Sequence, residues 1–235
     1  MNDAASVRER YEDVLKKIKD AAEKAGRDPD EVTLVAVSKT KPIELMEEAA
    51  ALGQLDFGEN HVQEVVWKQA LHPEYRFHMI GHLQTNKVKQ VVGKAVLIHS
   101  VDSVRLARTI SDVSVRKGLV SDVLLEINVA SEPQKYGFPP EEAAGAAREI
   151  AAFPGIRIRG LMCVAPNSDD PEKNRPYFQK MQHLAVDIGQ KNIDNVFMTV
   201  LSMGMSKDFA VAVEEGATIV RVGTALFGER EYKGA

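Results

Sequence analysis

Apolar residues along this chain follow two alternating patterns, which together predict an α/β protein. Some short apolar runs, such as Val32–Ser38, are rich in β-branched residues and lack polar alternation, as is typical of strands buried on both faces. Between these runs, apolar residues recur at helical spacing, as they do over Ser103–Lys117. Strands that alternate with helices predict right-handed βαβ units and a parallel sheet.

The alternation continues over most of the chain, with turn signals such as Phe153-Pro154-Gly155 between elements. The predicted strands are Val32–Ser38, Leu55–Asn60, Arg76–Gly81, Val96–Val101, Asp122–Val129, Ile156–Val164, Asn195–Ser202 and Thr218–Thr224. The predicted helices between them are Pro42–Leu52, Val62–Ala70, Thr85–Val92, Ser103–Lys117, Pro140–Ala152, Glu172–Gln190 and Lys207–Glu215. A further helix precedes the first strand, because Ser6 and Glu9 have capping-box spacing and an apolar stripe runs from Tyr11 to Ala25.

Eight predicted strands in 235 residues favour a closed (β/α)8 barrel of the TIM type with an extra N-terminal helix. A doubly wound open sheet is the alternative, but it predicts a glycine-rich turn after the first strand, and Val37–Thr40 contains no glycine. Since no long linker or composition shift divides the chain, we expect a single domain over residues 1–235. The active face of such a barrel is formed by the carboxyl ends of its strands.

Composition narrows the class of protein and its partners. The chain is 44% hydrophobic and 27% charged, and its formal net charge of −4 provides no broad positive field for nucleic acid. Residues 1–6 show no basic patch before an apolar stretch, and no apolar run approaches the ~18 residues that span a bilayer. The single cysteine, Cys163, excludes an internal disulfide. We therefore expect a cytoplasmic protein that binds neither nucleic acid nor membrane.

Lys39 is the most informative residue of the chain. It ends the buried run Val32–Ser38 and directly precedes a helical pattern, so we expect its ammonium at the mouth of the core. Loss of solvent there lowers the pKa of a lysine, and a neutral amine forms imines with aldehydes. The pattern predicts a reactive lysine. It leaves open a cofactor-free aldolase that forms its imine with the carbonyl of a sugar phosphate.

Two segments in the last quarter of the chain predict an anion site. Leu201–Ser206 would form the loop after the seventh strand, and Gly223 with Thr224 would end the eighth. Barrels frequently bind phosphate between the loops after these two strands, and backbone N–H groups beside a hydroxyl such as that of Ser206 are suited to an anion. Helix capping and turn glycines explain either loop alone. At adjacent strand ends, the two together favour a phosphate site.

Arg221 is predicted to face the barrel interior, because it shares strand parity with Gly223 and Ile219. A buried guanidinium needs a partner, since an isolated buried charge is costly. The residues alone favour an ion pair with a carboxylate such as Glu126 or Glu59. A hydrogen bond to a ligand heteroatom is the alternative.

The histidines do not predict a metal site. His78 and His82 are four residues apart, but they straddle a strand end and a glycine, which disfavours the helical geometry of a metal pair. His99 lies inside a strand pattern, and we expect it to be a hydrogen-bonded core residue.

Eight segments, in order over nearly the whole chain, resemble the pyridoxal-phosphate homeostasis protein family, whose single-domain barrel is related to the N-terminal domain of alanine racemase. They are VAVSKTKP (Val35–Pro42), DFGENHVQE (Asp56–Glu64), FHMIGHLQTNK (Phe77–Lys87), HSVDS (His99–Ser103), INVASEPQKYGF (Ile127–Phe138), RGLMCV (Arg159–Val164), LSMGMSKD (Leu201–Asp208) and VRVGTALFGER (Val220–Arg230). The sequence departs from the family pattern at His61, where a tyrosine is usual.

The resemblance implies a role for each candidate residue toward pyridoxal 5′-phosphate (PLP). Lys39 corresponds to the lysine that forms the internal aldimine, and Lys41 to a nearby charge. Arg221 corresponds to the arginine that faces the pyridine nitrogen, and Asn60 to a polar contact beside the ring. The resemblance also places a phosphate cradle at Ser206, Gly223 and Thr224, and we expect Met203 and Met205 to flank the site.

An arginine at the ring nitrogen bears on catalysis. Arginine stays charged and only donates hydrogen bonds, so it leaves that nitrogen unprotonated and the cofactor a weak electron sink. Racemases of this type add a base from a further C-terminal domain, which we do not expect here, since the sequence ends at Ala235 soon after the eighth strand. The resemblance therefore implies a monomeric, non-catalytic PLP carrier in vitamin B6 and amino-acid homeostasis, with transient contacts to PLP-dependent enzymes. A small amino-acid racemase is the alternative.

Overall fold

Eight parallel strands close into a barrel in the computed structural model, which describes residues 5–229. Residues 1–4 and 230–235, which the single-domain prediction includes, lie outside the described residues. Each strand pairs with the next, and β8 pairs with β1 to close the sheet. The strands are β1 (Thr33–Val37), β2 (Asp56–Glu59), β3 (Arg76–Met79), β4 (Ala95–Val101), β5 (Ser121–Ile127), β6 (Ile156–Cys163), β7 (Val196–Ser202) and β8 (Ile219–Val222).

The helices follow the strands in the order that a (β/α)8 barrel requires. They are α1 (Val7–Lys24), α2 (Ile43–Ala51), α3 (Val62–Leu71), α4 (Val88–Val91), α5 (Val104–Arg116), α6 (Ala143–Ala151), α7 (Arg175–Gly189), α8 (Phe209–Glu214) and α9 (Thr224–Phe227). Short 3-10 turns lead into three of these helices, at Thr85–Lys87, Pro140–Glu142 and Pro171–Asn174. The predicted fold class and the predicted order of elements are confirmed.

The extra helix α1 begins as the sequence predicts. The Ser6 hydroxyl accepts the N–H of Glu9, and the Glu9 carboxylate accepts the N–H of Ser6, which completes the capping box. Its apolar face is buried, and the helix packs against α8, α9 and α2. It therefore lies outside the barrel, against the helices that follow the first strand and the last two strands.

The strands bury both faces, as their unbroken apolar runs predict. One face packs against the helices in the large apolar core. The opposite face forms a smaller apolar layer inside the barrel, composed of Val35, Leu97, Leu124, Met162, Ile219 and the partly buried Val200. Alternate positions of the same strands also place polar side chains inside the barrel, and these are the residues on which function depends.

Differences from the predicted elements are confined to short segments, mostly at the ends of helices and strands. The predicted helix Thr85–Val92 is a 3-10 turn followed by the four-residue α4. Thr224, predicted as the last residue of a strand, instead begins α9, which the apolar pattern of so short a segment does not reveal. Within residues 5–229, no helix combines the length and the apolar character needed to cross a membrane.

Candidate functional site

The carboxyl ends of the strands surround a cavity of about 410 Å3. Its volume is within the range of small-molecule sites, which is roughly 300–1,000 Å3. Six of the seven predicted site residues line it, namely Lys39, Asn60, Ser206, Arg221, Gly223 and Thr224. Met203 is fully buried in the core and is not among the described residues that line the cavity, whereas Met205 lines it.

The two neighbouring lysines after β1 have different environments. Lys39 is half-buried and lines the cavity. Lys41 extends toward the end of α9, where its ammonium donates to the carbonyls of Phe227 at 3.2 Å, Gly228 at 2.9 Å and Glu229 at 2.9 Å. These contacts hold Lys41 against the backbone that follows β8. Of these two lysines, Lys39 lines the cavity and Lys41 does not.

A buried charged cluster lies directly behind Lys39. The Lys68 ammonium donates to the Ser38 carbonyl at 2.9 Å and to Oε1 of Glu59 at 2.6 Å, and both charged side chains are completely buried. The same Glu59 oxygen accepts the Ser38 hydroxyl at 2.5 Å. Burial raises the pKa of Glu59, against the opposing effects of Lys68 and Ser38. The cluster thus fixes both the backbone and the side chain of the residue before Lys39.

The residue after Lys39 is also held in place. Thr40 has a φ of +61°, a left-handed conformation that costs a non-glycine residue about 1 kcal/mol. Its N–H donates to Oε1 of Glu64 at 2.8 Å, and Glu64 in turn lies 3.3 Å from the Lys68 ammonium. Lys39 is therefore flanked on both sides by residues bonded to one buried cluster.

The sequence does not reveal this cluster. Glu64 and Lys68 have i, i+4 spacing on α3, which is usual for a solvated helical pair. The one sequence signal for burial of Lys68 is its helical spacing from Val62 and Val65, with which it shares the buried face of α3. That signal is weak, because lysines are seldom fully buried.

The loops after β7 and β8 meet at the predicted phosphate site. The hydroxyl of Ser206 accepts the N–H of Gly223 and the N–H of Ala225, each at 3.2 Å. Gly204 allows the β7 loop to turn with a φ of +89°, and a Cβ there would lie 2.6 Å from that of Ala212. The result is a small concave region with two backbone N–H groups and a hydroxyl at one end of the cavity.

Gly223 contributes through its lack of a side chain. A Cβ at this position would lie 3.3 Å from both the Cβ and the carbonyl oxygen of Val37. That space is at the cavity wall, because both residues line the cavity. An anion that binds the Ser206 hydroxyl is thereby able to approach the backbone closely.

Asp208 also lines the cavity, but its carboxylate is bonded to the protein. One oxygen accepts the N–H of Met205 at 2.7 Å, and the other accepts the side-chain amide of Asn174 at 2.7 Å. Asn174 in addition donates to the Pro166 carbonyl at 3.0 Å. Asp208 therefore braces the β7 loop that carries Ser206.

Arg221 lies inside the barrel as predicted, but its partners differ from the ion pair that the residues alone favour. Nη1 donates to the Ser202 hydroxyl at 2.6 Å, and Nη2 donates to the Cys163 carbonyl at 2.8 Å. Among the ion pairs within residues 5–229, Glu59 is bound by Lys68 and Arg221 has no carboxylate partner. The expected pair with Glu126 or Glu59 was wrong, because neutral oxygens satisfy the guanidinium. Burial lowers the pKa of Arg221, and an arginine side chain stays protonated in proteins.

A second, smaller cavity of about 210 Å3 adjoins the first, and Val164 lines both. It contains Glu126, whose pKa is raised to about 7 by burial and by Asp102, against the opposing charge of Arg221. Tyr136 also lines this smaller cavity and stacks on His82 with ring centroids 3.9 Å apart. The mouth of the barrel therefore has one basic, donor-rich side and one side with a carboxyl that titrates near neutrality.

The remaining candidate residues have structural partners. His82 lies 3.0 Å from Asp102, and His78 contacts His99 at 2.9 Å inside the barrel, so the two histidines of the i, i+4 pair do not converge. His99 is a fully buried, hydrogen-bonded core residue, as predicted. Cys163 is buried as well, and burial raises the pKa of its thiol to about 12.

The chemistry of this site suits a small phosphorylated carbonyl compound that also carries a hydrogen-bond acceptor. Lys39 provides an amine, and Ser206, whose oxygen accepts the N–H groups of Gly223 and Ala225, provides a hydroxyl hydrogen that can be donated to an anion. Arg221 is a fixed cationic donor in the same cavity. These three features fit the aldehyde, the phosphate and the ring nitrogen of pyridoxal 5′-phosphate.

Comparison with known proteins agrees with this fit. Residues 12–231 match the family described as "Alanine racemase, N-terminal domain". The chain is 45% identical over 226 residues to a pyridoxal phosphate homeostasis protein of Aquifex aeolicus, covering 95% of this chain and 98% of the relative. The human protein of the same name is 39% identical over 211 residues, covering 85% of this chain and 77% of the relative.

Solved structures show the same fold. PipY of Synechococcus elongatus with PLP bound is 35% identical and superposes with a TM-score of 0.78, covering 90% of this chain and 100% of that one. Alanine racemase of Clostridium difficile, at 14% identity, shares the barrel with a TM-score of 0.74, covering 96% of this chain and 58% of that one. On its sequence and its fold, this chain belongs to the pyridoxal phosphate homeostasis protein family, within the wider group of barrels like the alanine racemase N-terminal domain.

Proposed function

We propose that this protein is a single-domain, reversible carrier of pyridoxal 5′-phosphate that attaches the cofactor to Lys39. The observation that carries the proposal is the placement of the Lys39 side chain in the same cavity as Ser206 and Gly223. An amine and a phosphate cradle in one cavity match the aldehyde and the phosphate of this cofactor. The PLP-bound PipY structure, at 35% identity, supports the assignment.

Lys39 would bind the cofactor covalently. Its Nζ would condense with the aldehyde carbon, forming a C=N bond and releasing one water, and hydrolysis or exchange with another amine would reverse the step. The bonds from Lys68 to Ser38 and from Glu64 to Thr40 hold the backbone on both sides of the lysine. They would keep the amine directed at the cavity before the cofactor arrives.

The other lining residues would hold the cofactor without covalent bonds. The hydroxyls of Ser206 and Thr224 would bind the phosphate, Gly223 would leave room for it beside the backbone, and Asn60 would contact the ring. Arg221 would donate to the pyridine nitrogen. Met205 would provide an apolar wall, and Met203 would support it from the core rather than touch the cofactor.

The same residues favour a carrier over an efficient catalyst. PLP supplies an electron sink when its ring nitrogen is protonated, and the donor-only Arg221 would keep that nitrogen unprotonated. A racemase also needs a second base on the opposite side of the substrate. Among the described residues that line the cavity there is no tyrosine or histidine. The Asp208 carboxylate there is bonded to Met205 and Asn174, and the Lys207 ammonium is bonded to Asp169 at 2.8 Å.

A carrier of this kind would buffer a reactive aldehyde and supply it to PLP-dependent enzymes, which would be its transient partners. We propose a cytoplasmic location, which the single, buried Cys163 supports. A monomer is the assembly that we expect.

Two measurements on the purified protein test this function. Titration with PLP, followed by visible absorbance, should produce a saturable band of the lysine-linked cofactor, and Lys39→Ala should abolish it. Incubation of the loaded protein with single L-amino acids should yield no multi-turnover formation of the D-forms. A protein that stays colourless with added PLP would refute the carrier, and steady racemisation would replace it with the racemase alternative.

A further inference from the structure

Five polar side chains form a continuous line of hydrogen bonds through the interior of the barrel. From the cavity downward, Nη1 of Arg221 lies 2.6 Å from Oγ of Ser202, which lies 2.9 Å from Nδ1 of His99. Nε2 of His99 lies 2.9 Å from Nδ1 of His78, and Nε2 of His78 lies 3.0 Å from Oδ1 of Asp56. We call these five residues the interior relay.

The interior relay joins the two ends of the barrel. Arg221 lines the cavity at the carboxyl ends of the strands, whereas Asp56 is the first residue of β2 and therefore lies at the opposite end. Asp56 is anchored there by Arg76, the first residue of β3, whose Nε donates to it at 2.8 Å. Burial opposes ionisation of Asp56, but its bonds to Arg76 and His78 outweigh that effect and lower its pKa to about 2.

The chemistry of the two ends fixes the direction of every bond between them. Ionised Asp56 only accepts hydrogen bonds, so His78 donates to it from Nε2. Nδ1 of His78 accepts the next bond, because the Ser202 hydroxyl has only Nδ1 of His99 to donate to among the described hydrogen bonds. His99 must then donate from Nε2 and accept at Nδ1. Burial lowers the pKa of His99 well below its ordinary value, and the charge of Arg221 acts in the same direction, so this ring is neutral.

At the upper end the same direction continues. His99 accepts at Nδ1, so the single hydroxyl hydrogen of Ser202 is directed at His99 and its oxygen is left to accept from Arg221. Arginine is a donor only, so it can begin this chain of bonds but cannot end one. All four bonds are polarised the same way, from the cation to the carboxylate.

Because these side chains are buried, water cannot replace a hydrogen-bond partner that one of them loses. Ser202 and His99 have no exposed surface, His78 is 4% exposed and Arg221 is 4% exposed. A buried polar group that loses its partner is left with its full desolvation cost. Rotation of any one side chain would therefore leave two neighbours unpaired, which restricts Arg221 to a single orientation.

We propose that the interior relay is a positioning device for Arg221, which holds its guanidinium against the ring nitrogen of the bound cofactor and links that contact to Asp56. The inference rests on the proposed function, because the ring nitrogen belongs to PLP. Ser202, His99 and His78 are positioning residues in this scheme, since they act through Arg221 and do not line the cavity.

The direction of the bonds is testable without the cofactor. In the 15N NMR spectrum of the apo protein with labelled histidine, His78 and His99 should both be neutral and protonated at Nε2. A charged ring, or a proton on Nδ1 of either residue, would overturn the proposed polarity. This measurement depends on the fold alone, so it is independent of whether the protein binds PLP.

The effect on the cofactor is tested with Ser202→Ala and PLP labelled with 15N at the ring nitrogen. Loss of the acceptor should shift the ring-nitrogen resonance and the visible band, and should raise the Kd for PLP about tenfold, the effect expected for one buried hydrogen bond. Ser100→Ala is the matched control. Ser100 is a buried serine of β4 whose hydroxyl has no partner among the described residues, so its removal should leave both signals unchanged.

A second pair of variants keeps the test decisive if Ser202→Ala does not fold. His99→Asn retains an amide oxygen near the position of Nδ1 and can still accept from Ser202, whereas His99→Leu cannot. The asparagine variant should recover most of the wild-type ring-nitrogen signal, and the leucine variant should not. Equal ring-nitrogen signals in the two His99 variants, or a wild-type signal in Ser202→Ala, would overturn the positioning role of the interior relay and leave the proposed function standing. Failure of the wild-type protein to bind PLP would instead overturn the proposed function and, with it, this role.

Discussion

The ammonium of Lys68 lies 2.6 Å from Oε1 of Glu59, with neither side chain exposed to solvent. Both groups also contact Ser38, through its carbonyl and its hydroxyl. This ion pair is therefore part of the support for Lys39, the next residue. Full burial means that the two charges depend on each other, because neither has water to replace a lost partner.

Removal of one partner should destabilise the protein strongly. Lys68→Met leaves a buried carboxylate without its cation and the Ser38 carbonyl without its donor, so we expect a loss of about 3–5 kcal/mol in the free energy of unfolding. Urea unfolding followed by circular dichroism measures this loss. The double variant Lys68→Met/Glu59→Leu should recover part of it, since it removes both charges.

A surface pair serves as the control. Lys17 and Asp13 also lie 2.7 Å apart, but both side chains are more than half exposed, so Lys17→Met should change the unfolding free energy by less than about 1 kcal/mol. Equal losses for Lys17→Met and Lys68→Met would show that the buried cluster has no special structural role.

Gly223→Ala should weaken phosphate binding with little loss of stability. Its Cβ would lie 3.3 Å from the Val37 carbonyl, beside the Ser206 hydroxyl, and would block close approach of the anion to the backbone. We expect the Kd for PLP to rise by about tenfold, or about 1.4 kcal/mol. Gly145→Ala on α6 is the matched control. It has open space around its Cβ, so it should leave the affinity unchanged and raise stability by up to about 1 kcal/mol.

Glu126 should make the protein less stable as the pH rises through the neutral range. Burial raises its pKa to about 7 in the folded state, and its ordinary value is near 4.5. Between these two values the folded protein binds a proton that the unfolded chain does not, so its stabilising contribution is full below pH 4.5 and is lost by about pH 7. The loss is about 3 kcal/mol at most.

Comparison with Glu126→Gln isolates this effect. The difference in unfolding free energy between the wild type and the variant should move in favour of the variant as the pH rises from 5 to 8. A difference that stays constant over this range would mean that the pKa of Glu126 is not raised.

Asp56 should have the opposite pH dependence. Its pKa is about 2 in the folded state against an ordinary value near 3.8, so its contribution is present above pH 3.8 and disappears as the pH falls toward 2. The contribution is about 2 kcal/mol. Acid titration of unfolding should therefore show a steeper loss of stability for the wild type than for Asp56→Asn, and parallel curves would contradict the bonds from Arg76 and His78.

The sequence predicts the fold well because its signals are local and repeated. β4 and α5 match their predicted ranges to within one residue, since a long apolar pattern defines each of them. Lys39 and Arg221 follow from the ends and the parity of strands, and the structure places both at one cavity. The motifs of the family make the same assignment.

What the sequence does not predict depends on contacts between distant residues. The predicted ion pair between Arg221 and Glu59 was wrong because Glu59, 162 positions earlier in the sequence, is bound by Lys68. The burial of Lys68 is hidden by its ordinary spacing from Glu64, and Met203 and Met205 are equivalent in pattern although only the second lines the cavity. The interior relay joins β2, β3, β4, β7 and β8, so only the closed barrel reveals it.

The central claim is that Lys39, and not Lys41, carries the cofactor. Lys41 is bonded to the carbonyls of Phe227 and Gly228, whereas Lys39 lines the cavity. The most direct measurement is borohydride reduction of the PLP-loaded protein, followed by mass-spectrometric mapping of the modified peptide. We predict modification of Lys39 in the wild type and in Lys41→Ala, and no stable modification at the site in Lys39→Ala. Modification of Lys41, or labelling spread over surface lysines, would contradict the account.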